Sequence, residues 1–202
     1  MVVPMLFVFA PTRGYQTSIS KRLKKTIQKA IELDENEAEA HRIMGYIQMR
    51  YRNFEAAEYH HRRAMDLNPS DAFIRARSAA FYTYKGEPSQ AVELIEAAVA
   101  QDPFLPVYCI EERGVALYAL ERFAEALTAL GEMPFQTFRS RCYEAVSRLS
   151  IGDETGAKKA ISKALLIHPT LTASEFRQRE PYQDREQRSH LYNNLLAAGL
   201  PK

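Results

Sequence analysis

The chain of 202 residues has no tryptophan, two cysteines, eight glycines and almost no surplus of one charge: 27 Lys and Arg stand against 25 Asp and Glu. Each shortage excludes something. Cys109 and Cys142 are too few for a disulfide scaffold and show no metal-type spacing, so they read as free or structural thiols in a reducing compartment, and the chain as cytoplasmic. The balanced, interleaved charge supplies no large field for nucleic acid or an anionic membrane surface. The only long apolar run, MVVPMLFVFAP, is about half the length that spans a bilayer and is interrupted by Pro4 and Pro11. It also lacks the basic start of a secretory signal.

Signatures of chemistry are equally scarce. Gly152 and Gly156 lack the Lys-Ser/Thr that a phosphate-cradling loop needs, and no G-x-S-x-G or H-E-x-x-H phrase occurs. His60 and His61 are neighbours and point to different sides of a helix, and His41, His168 and His190 stand apart. Glu111 and Glu112 form an adjacent carboxylate pair whose members diverge by about 100° on a helix, which suits a solvated or groove-lining role better than acid–base work. The chain therefore reads as non-catalytic, without cofactor or metal.

What is present is a period. Ala30, Ala64 and Ala98 lie 34 residues apart in the phrases KAIELDEN, RAMDLNPS and AAVAQDPF, and KALLIHPT is a weaker fourth copy. With Ala64 at position 27 of a 34-residue unit, Gly45 falls at 8, Phe54 at 17, Ala57 at 20 and Pro69 at 32. The next unit has Ala79, Gly86, Ala91, Ala98 and Pro103 at 8, 15, 20, 27 and 32. Small residues at 8 and 20 suit two helix backbones in close approach, with 8 expected against 20. The proline ends the second helix. The third unit, with Gly114 and Ala126, carries one inserted residue and stops early near Gly131 and Pro134; the fourth has Ala145, Gly152, Ala157, Ala164 and Pro169.

This pattern resembles the tetratricopeptide repeat, which implies an all-α right-handed solenoid of antiparallel helix pairs. The expected organisation is an irregular apolar segment at 1–17, an orphan helix at 18–33, repeats at about 38–71, 72–105, 107–136 and 138–171, and capping helices at 172–202. Thr172 and Glu175 have capping-box spacing, Pro181 should end a short helix, and Gly199 should stop a second one beginning near Asp184. MVVPMLFVF is expected either to cover the face of the orphan helix or to complete the array of a second copy in a homodimer.

In such repeats the first helices line a concave groove, and the resemblance places Arg42, Tyr46, Met49, Arg50, Phe73, Tyr84, Tyr108, Glu111, Tyr118 and Arg139 there. The expected partner is a protein or peptide. Tyr46, Phe73, Tyr84, Tyr108 and Tyr118 would be its apolar anchors, and Arg42, Arg50 and Arg139 would read acidic flanks. Tyr46 stands where carboxylate-clamping members of the family carry asparagine, so a terminal-carboxylate ligand is not expected.

A narrower resemblance covers residues 31–202. The phrases AIELDENEAEAHRIMGYIQMRYRNFEAAEYHHRRAMDLNPSDA, GEPSQAVELIEAAVAQDP and the ending FRQREPYQDREQRSHLYNNLLAAGLPK are similar to the C-terminal repeat region of bacterial class III adenylate/guanylate cyclases. A cyclase domain needs about 150–200 residues, the size of a full domain. On this resemblance any cyclase activity would lie on a separate chain or be absent, and this chain would be a regulatory or split-off portion of such a signalling protein.

Overall fold

The computed structural model describes the backbone of residues 13–202 and the side chains of residues 21–202. Eleven α-helices and no strands occur among the described residues: α1 (Arg13–Leu33), α2 (Ala38–Arg50), α3 (Phe54–Leu67), α4 (Ala72–Lys85), α5 (Pro88–Gln101), α6 (Val107–Ala119), α7 (Phe123–Gly131), α8 (Phe138–Ser150), α9 (Glu154–Ile167), α10 (Ala173–Arg179) and α11 (Arg185–Ala197). Four antiparallel pairs, α2/α3, α4/α5, α6/α7 and α8/α9, stack in order, so the chain is an α-solenoid.

The helix starts follow from local chemistry. Asn53, Asp71, Asp153 and Thr172 each accept a hydrogen bond from a first-turn backbone N–H, and Thr137 and Ser140 form a reciprocal cap at the start of α8. Pro88 opens α5, where its missing N–H costs nothing. The short α7 ends at Gly131, as the early stop in the third unit implies.

The small residues act differently from the expectation. A methyl added to Gly45 would lie 2.8 Å from Cδ2 of His61, and one added to Gly114 would lie 2.5 Å from the Leu130 side chain. Position 8 therefore closes on position 24 of the second helix, with the alanines at 20 buried beside it. A wide side chain at 24 roofs a missing one at 8, which is the interdigitation that dense packing demands.

One boundary also differs from the expectation. The first helix begins at Arg13, five residues before Ser18, so residues 13–17 are helical. Leu23, which corresponds in register to Ala57 of α3, is 42% exposed, whereas Ala57 has no exposed surface. The apolar face of α1 thus has no complete cover within the described residues. The expectations for MVVPMLFVF, as a lid or as a homodimer contact, fall on residues outside those described.

The four loops inside the helix pairs share one backbone conformation. Arg52, Gly86, Glu121 and Gly152, all at position 15, have φ of 64°, 99°, 59° and 84°. This left-handed region costs an L-residue about 1 kcal/mol or more relative to glycine. Glu121 is exposed, and Glu121→Gly is expected to raise stability by about 0.5–1 kcal/mol in urea denaturation. The same change at Arg52 should yield no gain, because that side chain has bonding to lose. An equal gain at both loops would refute the distinction.

Candidate partner-binding groove

The face expected to form the groove is not empty. The segment joining α10 to α11, residues 180–184, runs back across it and touches the first two repeats. We call it the strap. Pro181 stops α10, and Asp184 accepts from the Glu186 N–H to start α11, so the strap is confined to a few extended residues.

Glu180 is the strap's first anchor. It is 2% exposed and accepts hydrogen bonds from Tyr84 at 2.6 Å, Tyr143 at 2.7 Å and Arg139 at 2.9 Å. The ring of Tyr182 meets that of Tyr84 edge-on at 5.0 Å, and its hydroxyl lies 3.1 Å from that of Tyr143. The strap backbone is also held. Gln183 donates its N–H to the carbonyl of Tyr84 at 2.7 Å, filling one of the acceptors that the end of α4 leaves open. Arg52 donates to the carbonyls of Tyr182 at 2.8 Å and Gln183 at 3.3 Å. Arg50 donates to the carbonyls of Gln178, at 3.3 Å, and Arg179 at the end of α10.

Arg139, from α8, is the hub. Its guanidinium donates to Glu111 at 2.9 Å, to Glu112 at 3.1 and 3.3 Å, to Glu180 at 2.9 and 3.3 Å and to the Tyr84 hydroxyl at 2.6 Å. Burial works against its charge, but Glu112 and Glu180 outweigh that and raise its pKa well above the usual arginine value. Burial likewise opposes the charge on Glu180, yet Arg139 and the hydrogen bonds from Arg139, Tyr84 and Tyr143 hold its pKa below the usual carboxylate value. Glu112 goes the other way: burial raises its pKa against the pull of Arg139 and Arg77. Glu111 and Glu112 diverge along the helix as expected, but both are buried and reach the same guanidinium because Arg139 lies between them. Of the two expected roles, solvated or groove-lining, burial rules out the first.

The predicted groove residues separate into two sets. Tyr84, Glu111, Tyr118 and Arg139 are covered by the chain itself. Tyr118 packs on Tyr143 and Phe123 at 5.4 and 5.7 Å, and burial pushes its pKa up to about 12. Met49 is core. The arginines expected to read acidic flanks are engaged internally: Arg42 is buried and paired with Glu39 at 2.5 and 2.7 Å, Arg50 holds the end of α10, and Arg139 holds the buried cluster.

The second set remains accessible. Tyr46 is 41% exposed, and Phe73 and Tyr108 are half-buried. Phe73 and Tyr108 meet edge-on at 6.3 Å, Arg42 lies over Phe73 at 5.2 Å and Arg77 over Tyr108 at 5.1 Å. This ladder of alternating cations and rings forms an open rim on α2, α4 and α6.

Sequence reasoning missed Arg52, Tyr143, Glu180 and Tyr182, and read Pro181 only as a helix stop. The Glu-Pro-Tyr phrase carried the one local signal, a helix stop followed by an aromatic residue.

Other chemistry is sparse. Cys109 and Cys142 are free and fully buried, and burial raises both thiol pKa values, that of Cys109 to about 12. Among the described residues no cluster of His, Cys, Asp and Glu could hold a metal ion, and no helix is long and apolar enough to cross a membrane.

The helix pairs, their small-residue contacts and their stacking define a tetratricopeptide-type fold. No protein-family model and no curated protein matches the chain. Solved structures do. The type IV pilus biogenesis factor PilW superposes with a TM-score of 0.71 at 17% identity, over 91% of this chain and 83% of that one. Pseudomonas aeruginosa pilF superposes at 0.60 with 25% identity, over 84% and 78%. YrrB, a tetratricopeptide protein with an unusual peptide-binding site, superposes at 0.54 with 20% identity, over 85% and 90%. Such a fold serves in general as a protein–protein interaction scaffold.

Proposed function

We propose that the chain is a non-catalytic adaptor that docks a partner segment on its concave face, entering over the open rim of Tyr46, Phe73 and Tyr108. The observation that carries this reading is the cation–ring ladder, which presents rigid aromatic surface already ordered by Arg42 and Arg77. Ordered aromatic side chains lose little entropy on binding and are the usual anchors of an interface. The likeness to YrrB, which binds peptide, is consistent with it.

A photo-crosslinker placed at Tyr46 tests the rim, with one at exposed Tyr59 on α3 as control. The Tyr46 probe should capture a distinct protein, and combining Phe73→Ala with Tyr108→Ala should cut capture at least tenfold, as expected for two anchors worth about 1 kcal/mol or more each. The same captured set from both probes removes the assignment. The narrower cyclase resemblance is tested in the same capture: mass spectrometry would find a cyclase catalytic chain specifically at the Tyr46 probe, and its absence sinks that reading.

A further inference from the structure

The strap has the anatomy of a bound peptide. Its carboxylate sits among three donors, its proline keeps the backbone extended, its aromatic ring packs on a groove tyrosine, and its main chain is read by a helix-end carbonyl and by Arg52, while Arg50 holds the end of α10 just before it. Affinity through main-chain bonds and specificity through alternate side chains is how extended segments are recognised in general. Every groove residue in this set, Arg50, Arg52, Tyr84, Arg139 and Tyr143, comes from the repeats, and every recognised group comes from the strap or the end of α10.

We infer that the inner groove is a receptor for a peptide bearing a carboxylate, a proline and an aromatic residue in succession, and that residues 180–184 occupy it in cis as a displaceable latch. This inference rests on the groove reading above and names the chemistry of the segment that enters.

Two features suit the groove to exchange. First, Arg139 keeps Glu111 and Glu112 as partners when Glu180 leaves, so withdrawal of the strap does not strand a bare buried cation. A ligand carboxylate then has an ordered guanidinium and the Tyr84 and Tyr143 hydroxyls to receive it. Second, the strap is tethered at both ends by α10 and α11. A short tether gives an effective concentration of about millimolar, so a weak site stays filled until a competitor brings extra contacts. The open rim beside Tyr46, Phe73 and Tyr108 offers those contacts. A partner carrying the acidic–proline–aromatic phrase and a flanking apolar residue would engage both and displace the latch.

The test uses the full chain with Glu180→Ala and Tyr182→Ala combined, titrated by fluorescence anisotropy with a labelled peptide of residues 177–184. The variant should bind this peptide at least tenfold more tightly than the unmodified chain does, and more tightly than a scrambled peptide of the same composition. A variant with unchanged helical circular dichroism that does not distinguish the two peptides overturns the inference. Should that variant not fold, hydrogen exchange of the unmodified chain decides. A latch requires the Gln183 amide to exchange at least a hundredfold faster than the slowest amides of α4 and α6, and equal protection marks the strap as a permanent part of the core. Failure here leaves the rim assignment standing, because the Tyr46 capture does not depend on strap release.

Discussion

Replacing Arg139 with alanine should lower the unfolding free energy by about 3–5 kcal/mol, among the largest single effects in the molecule. The guanidinium is the shared counter-charge for Glu111, Glu112 and Glu180, and it also donates to the Tyr84 hydroxyl. Without it three buried carboxylates face one another, and Arg77, 4.0 Å from Glu112, is the cation left beside them. Burial without a partner disfavours the ionised form. The folded-state pKa values of these carboxylates should therefore rise above their unfolded values. The sign follows from proton linkage: groups raised in this way contribute stability below the unfolded pKa and lose it as pH rises through the folded pKa. The deficit of Arg139→Ala relative to the parent chain should thus be smaller at pH 5 than at pH 8. Urea denaturation at the two pH values measures it. A deficit below about 1 kcal/mol, or one that is independent of pH, would show that the cluster does not hold the strap through charge.

Acid should destabilise the unmodified chain well before its carboxylates titrate. His61 is fully buried, with Nδ1 3.2 Å from the Ser78 hydroxyl and its ring stacked on Phe81 at 5.0 Å beneath Gly45. Burial first, then the charges of Arg42 and Arg77, lowers its pKa to about 3. His60, lowered to about 4 by burial and by His41, shifts in the same direction. A histidine depressed in the folded state binds fewer protons there than in the unfolded chain. Its contribution is complete above the unfolded pKa near 6.5 and is lost progressively as pH falls towards the folded value. For His61 the loss between pH 7.5 and pH 5 is about 2 kcal/mol. Glu180, with its lowered pKa, adds a second loss only at lower pH, whereas the raised pKa of Glu112 works in the opposite sense. Denaturation midpoints of the parent chain and of His61→Phe across this range isolate the term. The variant should lack about 2 kcal/mol of the parent's decline, and parallel curves would exclude His61 as its source.

The solenoid was legible because its determinants are local and recur. Ala57, Ala91, Ala126 and Ala157 return at matching positions, each pair loop turns at position 15, and each cap is set within three residues of its helix. Even the shortened α7 was written in the spacing between Ala126 and Ala157. The occupant of the groove was not legible. Tyr84 and Glu180 are 96 residues apart, and no periodicity reports a bond at that separation. A groove read by register alone looks open, and Arg50 and Arg139 look available for a partner. Their commitment to the chain's own end follows from the tertiary arrangement, which brings the ends of α2 and α4 against the segment after α10. The small-residue rule was right about size and misplaced about contact. Which residue roofs Gly45 depends on the helix crossing, and only a structure supplies that.

In an ordinary solenoid each unit touches its neighbours alone, so stability sums along one dimension and the ends can melt separately. Here Arg50 and Arg52 of the first repeat hold carbonyls roughly 130 positions further along the chain. The strap works like the string of a bow, joining the first repeat to the segment that follows the last one. Melting one end therefore removes hydrogen bonds from the other, a coupling that a one-dimensional stack lacks.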